Sequence, residues 1–89
     1  MRQEYKKILG QESRLLAIET RERLGLTQRE MGIRLQMCEN SYCAIEAGRT
    51  SCGALTEALL LSMQEDPKEF LDHVTEKFAK CYEEEMTVL

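Results

Sequence analysis

Two tetrapeptides in this chain spell out helix starts, and two glycines spell out helix ends, which leaves little but short helices possible. In Thr27-Gln28-Arg29-Glu30 the Thr27 hydroxyl can accept from the Glu30 amide while the Glu30 carboxylate returns to the Thr27 amide, a capping box. Asp66-Pro67-Lys68-Glu69 adds a proline pre-set for the first helical position. Gly25 and Gly48 follow apolar-periodic segments, where a left-handed residue closes a last turn.

Between these marks the periodicity is helical. Leu16, Ala17, Thr20 and Leu24 predict a helix over 12–24, with residues 1–10 a short extra helix or an arm ended by Gly10. Met31 and Leu35 give a second helix from Gln28 to about Gln36, and Tyr42 and Ile45 a third over 39–47. Leu55, Leu59 and Met63, with Ala58, give a fourth. Phe70, Leu71, Val74, Phe78, Cys81 and Tyr82 form the stripe of a fifth, against charges on its outer face. Period-two alternation never persists, so no strand is predicted. The expectation is an all-α, five-helix domain whose core is Leu16, Leu24, Met31, Leu35, Ile45, Leu55 and Leu59.

With 89 residues the chain makes one compact domain. Within it, residues 1–65 form a helical unit and 66–89 the C-terminal helix. A chain this short buries only roughly 60–65% of its unfolded surface, which favours a binding module over an enzyme with a deep cleft. The longest apolar run, Ala58-Leu59-Leu60-Leu61, falls far short of the ~20 residues of a membrane span, and the opening MRQEYKKILG lacks the apolar stretch of a signal peptide. A cytoplasmic protein is expected. Cys38, Cys43, Cys52 and Cys81 lie at gaps of four, eight and 28 residues, which match no paired-cysteine zinc framework. They read as reduced thiols, with no cofactor or metal expected.

The net charge of −4 conceals a division. Residues 1–53 carry nine Lys and Arg against seven acids, a balance of +2, and residues 54–89 carry three Lys against nine acids, a balance of −6. The first half is suited to a phosphate-bearing partner and the second to solvent or a protein.

Two short helices joined by a tight turn, the second closed by Gly and a polar loop, make up a helix-turn-helix unit. The residues Arg21-x3-Gly25-Leu26-Thr27-Gln28-x2-Met31-x3-Leu35, followed by Ile45-Glu46-x-Gly48-Arg49, resemble the Cro and phage-repressor (XRE-like) helix-turn-helix family over about residues 13–61. The resemblance implies a phage-repressor-like DNA-binding fold with its motif at 27–47. It implies a buried ion pair of Arg21 with Glu46, tying the first helix to the end of the recognition helix. It also implies that Gln28 meets the first phosphate or base edge. Residues 39–47 become the recognition helix, with Glu39, Asn40, Ser41, Cys43 and Ala44 facing the groove, while Arg49 and Thr50 meet the sugar-phosphate backbone. Double-stranded DNA is then the partner and transcriptional repression by a two-fold dimer the function.

General chemistry supports part of this independently. Asn40 can pair with adenine through both amide groups, Glu39 can accept from the cytosine amino group, and Gln28 sits at a helix start suited to phosphate. The chain departs from the family pattern at Gly32, Gln36, Cys38 and Cys52, where Ala, Gly, Ser or Thr, and Pro are usual. Gln36 in a left-handed turn costs about 1 kcal/mol relative to Gly, so a wider turn is expected. Residues 39–47 hold no Arg or Lys.

A second reading follows from that last feature: a protein-interaction module, antitoxin- or antirepressor-like, on the same fold. A third, a thiol sensor, rests on Cys38 at a helix start. His73 and Glu83-Glu84-Glu85 read as solvated surface. Phe70, Leu71, Val74, Phe78 and Tyr82 exceed what a small core needs, so this stripe is expected to dimerise the protein.

Overall fold

The computed structural model describes residues 2–88. Among them are five helices and no strand: α1 (Arg2–Leu24), α2 (Gln28–Arg34), α3 (Glu39–Glu46), α4 (Ala54–Ser62) and α5 (Pro67–Val88). The protein is an all-α, five-helix domain. Its boundaries fall where the local chemistry puts them. Thr27 Oγ1 accepts from the Glu30 amide at 3.1 Å, and the Thr27 amide donates to Glu30 Oε1 at 2.9 Å, so both halves of the capping box form. Gly25 and Gly48 take positive φ, 68° and 78°, at the ends of α1 and α3.

Helix α1 differs from expectation. It runs unbroken through Gly10 for 23 residues, so the N-terminal segment is neither an arm nor a separate helix. A glycine inside a helix costs about 1 kcal/mol relative to alanine. Tertiary contact offsets that cost: the Tyr5 ring meets Phe78 of α5 edge-on, with centroids 5.3 Å apart, and the Tyr5 hydroxyl donates to Glu85 Oε2 at 3.4 Å.

The α2–α3 connection is tight rather than wide. Gln36 itself adopts the left-handed conformation, with φ 62°, and the Met37 amide donates to the Gly32 carbonyl at 2.9 Å. This closeness accounts for Gly32, because a Cβ there would stand 3.0 Å from the Met37 carbonyl oxygen. Alanine would press on the backbone of the turn.

Ala17, Met31, Leu35, Tyr42 and Leu60 form the buried cluster, with Leu16, Leu26, Met37, Leu59 and Met63 packed around it. Leu24 and Leu55, expected inside, are 40% and 67% exposed. Leu55 lies in the first turn of α4, whose inward face is instead centred on Leu60. Three consecutive leucines, 59 to 61, left the phase of that helix open in the sequence, and packing against α1 set it.

Helix α5 folds back along α1. Val74 is buried, and Phe70 and Phe78 are half-buried, within the same chain. The expected dimer stripe is therefore corrected: Val74 is consumed intramolecularly, Phe70 and Phe78 in part, and Leu71 and Tyr82 remain exposed beside Met86. His73 is not merely solvated, since its Nε2 lies 3.0 Å from Glu12 Oε2, and Lys77 Nζ lies 3.0 Å from Glu12 Oε1. Glu12 is nearly buried on α1, and two α5 groups supply its partners. No helix among the described residues is long and apolar enough to cross a membrane.

Candidate nucleic-acid interface

Helices α2 and α3 form the most closely packed neighbouring pair, and one polar chain fixes α3 against the rest of the domain. Arg21 leaves the last turn of α1 and donates from Nε to Glu46 Oε2 at 2.6 Å and from Nη2 to Glu46 Oε1 at 3.3 Å. Its Nη1 reaches the Leu26 carbonyl at 3.2 Å, so one guanidinium ties α1, the α1–α2 turn and the end of α3 together. The expected Arg21–Glu46 pair is present, with the Glu46 side chain 10% exposed. Removing either partner of such a pair strands the other's charge, at about 3–5 kcal/mol for a fully buried case.

The surroundings of Glu46 set its titration. Burial raises its pKa, but the Arg21 and Gln28 donors, with the Tyr42 hydroxyl nearby, outweigh burial and hold the carboxyl below the usual glutamate range. The fully buried Tyr42 is pushed the other way, first by desolvation and then by the adjacent Glu46. Its hydroxyl donates to the Ala17 carbonyl at 3.4 Å.

Gln28 belongs to this chain as well. Its Nε2 donates to Glu46 Oε1 at 3.0 Å, and its Oε1 accepts from Cys43 Sγ at 3.2 Å. Both ends of the amide are thus used inside the α2–α3 unit. Gln28 was expected to meet phosphate and Cys43 to face the groove, yet each turns its polar atom toward the other. The helical spacing of Cys43 gave no sign of this, because the two partners stand 15 residues apart and meet only through the turn.

The remaining expected residues lie outward. Glu39, Asn40 and Ser41, in the first turn of α3, are exposed, as are Arg49 and Thr50 in the loop that follows, while Ala44 is half-buried. Asn40, Ser41, Ala44, Thr50 and Thr56 line one shallow depression of about 430 Å³ between α3, the loop and the start of α4. Met37 and Ile45 share its lining, so the hydroxyl and amide groups stand among apolar side chains. At the entrance of α3, the Cys38 thiol lies 3.2 Å from the Ser41 hydroxyl, which with the neighbouring amides holds it below the ordinary thiol range. Cys52 is the opposite case, pushed up to about 11 by burial and by Glu57.

No group of three or more His, Cys, Asp or Glu among the described residues is arranged to hold a metal ion. Compared with protein-family models, with curated proteins and with solved structures, the chain finds no match.

Proposed function

We propose that this chain is a sequence-specific, double-stranded DNA-binding transcriptional regulator of the Cro and phage-repressor type, acting in the cytoplasm as a repressor that blocks a promoter. The observation that carries the reading is the division of α3 into two faces. The inner face is locked through Tyr42, Ile45 and Glu46, and the outer presents Asn40 and Ser41 beside Thr50 and Arg49. A rigid short helix with a small-residue polar face is what a major groove about 12 Å wide admits. Asn40 supplies the base contact, Glu39 an acceptor for cytosine, Ser41 and Ala44 the close approach, and Arg49 and Thr50 the backbone contacts. No catalytic step is assigned to any residue. Two copies on two half-sites, ~34 Å apart, make up for the small surface of one module.

Selection of bound sequences from a random duplex pool, followed by Asn40→Ala, tests the reading. The variant is expected to lose preference at one base pair, at a cost of about 1–3 kcal/mol, whereas Arg49→Ala weakens all sequences alike. Unchanged affinity and preference in a folded Asn40→Ala protein would overturn it. A second reading, a protein-interaction module, draws on one observation: α3 carries no cation and places Glu39 at its exposed start. It is the reading that survives if the parent binds no duplex at any salt concentration.

A further inference from the structure

The absence of Arg and Lys from α3 leaves the proposed interface short of charge, and the fold supplies it from elsewhere. The N-terminal half of α1, which the sequence did not assign to one continuous helix, lies against the loop after α3 and forms a groove of about 440 Å³. Four cations line it: Lys6, Lys7 and Arg14 from α1, and Arg49 from the loop. The amides of Gln3 and Gln11 are the other long polar side chains in its wall, and no carboxylate lines it. In a protein of net charge −4, this is a concentrated site of the opposite sign.

The groove is built rather than incidental. Arg14 Nε donates to the Glu46 carbonyl at 2.7 Å, which seats a cation at the carboxyl end of α3, where the helix dipole is negative. Gly48 follows beside it, and there the positive φ of 78° favours glycine, since a Cβ would make only an ordinary 3.7 Å contact with Arg14 Nε. Lys7 and Arg14, seven residues apart, fall on one face of α1 and are separated by roughly 10 Å along its axis. That is the rise of about three phosphates on one strand, at 3.4 Å each. Ile45, Thr50 and Ser51 line both this groove and the depression beside Asn40, so the two surfaces are continuous.

We infer that this groove receives the phosphodiester backbone of double-stranded DNA flanking the bases read by α3, with Lys6 and Lys7 as its outer phosphate contacts. The inference rests on the DNA-binding reading above and adds to it a strand-tracking surface on α1. Lys6 and Lys7 meet phosphate oxygens, Arg14 and Arg49 complete the row, and Gln3 and Gln11 donate at its rim. Because these contacts carry no sequence information, they raise affinity without altering preference.

The test measures binding of a labelled 30-base-pair random duplex, and of a duplex selected from a random pool, across a salt series. The proteins compared are the parent, Lys6→Gln/Lys7→Gln, Lys6→Arg/Lys7→Arg and, as a control on α5, Lys80→Gln. Each phosphate contact contributes about 0.9 to the slope of log affinity against log salt, so the double glutamine variant should flatten the slope by about 1.8 on both duplexes. It should leave base preference intact. The double arginine variant should keep the parent's slope, and Lys80→Gln should change nothing. Both lysines are exposed, and helicity measured by circular dichroism should be the same in all four proteins. A parental slope in the double glutamine variant overturns the groove while leaving DNA binding by α3 in place. Loss of the slope in the double arginine variant also overturns it. A parent with no salt-dependent duplex binding overturns both readings.

Discussion

Gln36 is a residue at which this chain accepts strain. Its positive φ of 62° is forced by the turn that brings α3 against α2, where the Gly32 carbonyl already holds the Met37 amide. A side chain in that conformation costs roughly 1 kcal/mol or more, and glycine avoids the clash while adding some unfolded-state entropy. Gln36→Gly is therefore expected to raise stability by up to about 1 kcal/mol, read as a rise in melting temperature of about 4–8 °C per kcal/mol for a domain of this size. A lower melting temperature would mean that the Gln36 side chain contributes more than its contact with the Ile33 carbonyl at 3.4 Å suggests.

Glu46 sets a pH dependence. Its folded pKa is depressed, so the stabilisation is complete above the unfolded value of about 4.3 and is lost as pH falls through the folded value. The parent should lose stability on acidification below about pH 4.3, and Glu46→Gln should lose less over the same interval while being less stable at pH 7. Thermal melts at pH 7 and pH 3.5 check this. Glu30, whose pKa is lowered by its hydrogen bonds to Thr27, acts in the same direction but is present in both proteins and cancels in the comparison.

At the scale of elements, α1 and α5 stabilise each other. Residues 2–10 of α1 carry four charges in nine positions and a glycine at their end, so the segment depends on Tyr5 against Phe78 and on the Glu12 contacts with His73 and Lys77. Phe78→Ala removes the aromatic contact, a pair worth about 0.5–1.5 kcal/mol beyond the area it buries. The expected outcome is local: amides in the first ten residues of α1 and the last turns of α5 exchange faster, while those of α2, α3 and α4 keep their protection. Uniformly faster exchange would show that the two long helices belong to the same cooperative unit as the motif.

At the scale of the molecule, the long helices give a body 46 Å in its longest dimension and 19 Å in its shortest. Leu71 and Tyr82, eleven residues apart, share a face of α5 by helical period, and both are about half exposed. Dimerisation through this face is therefore tested at an exposed position. Phe78→Asp would place a charge against the Tyr5 ring in the same chain, whereas Tyr82→Asp changes a more exposed position. If the parent is a two-fold dimer through this face, one change introduces two charges into one interface, and Tyr82→Asp should sediment as a folded monomer at micromolar concentration. A parent that sediments as a monomer removes α5 as the dimer surface.

Local chemistry was enough to write most of the helix boundaries. Capping at Thr27, proline at position 67 and the glycines at 25 and 48 act over three or four residues, and such signals survive without tertiary help. The Arg21–Glu46 pair was anticipated only through the resemblance to the phage-repressor motif, whose two ends these residues occupy. Local rules could not say that Gly10 lies within a helix, that Leu60 rather than Leu55 is buried, that Gln28 turns to Cys43, or that Glu12 finds His73 and Lys77. Each of those outcomes was decided by free energy gained between segments distant in sequence. Packing of α5 on α1 offsets a poor helix former, and a buried carboxylate takes whichever donors the fold brings within reach.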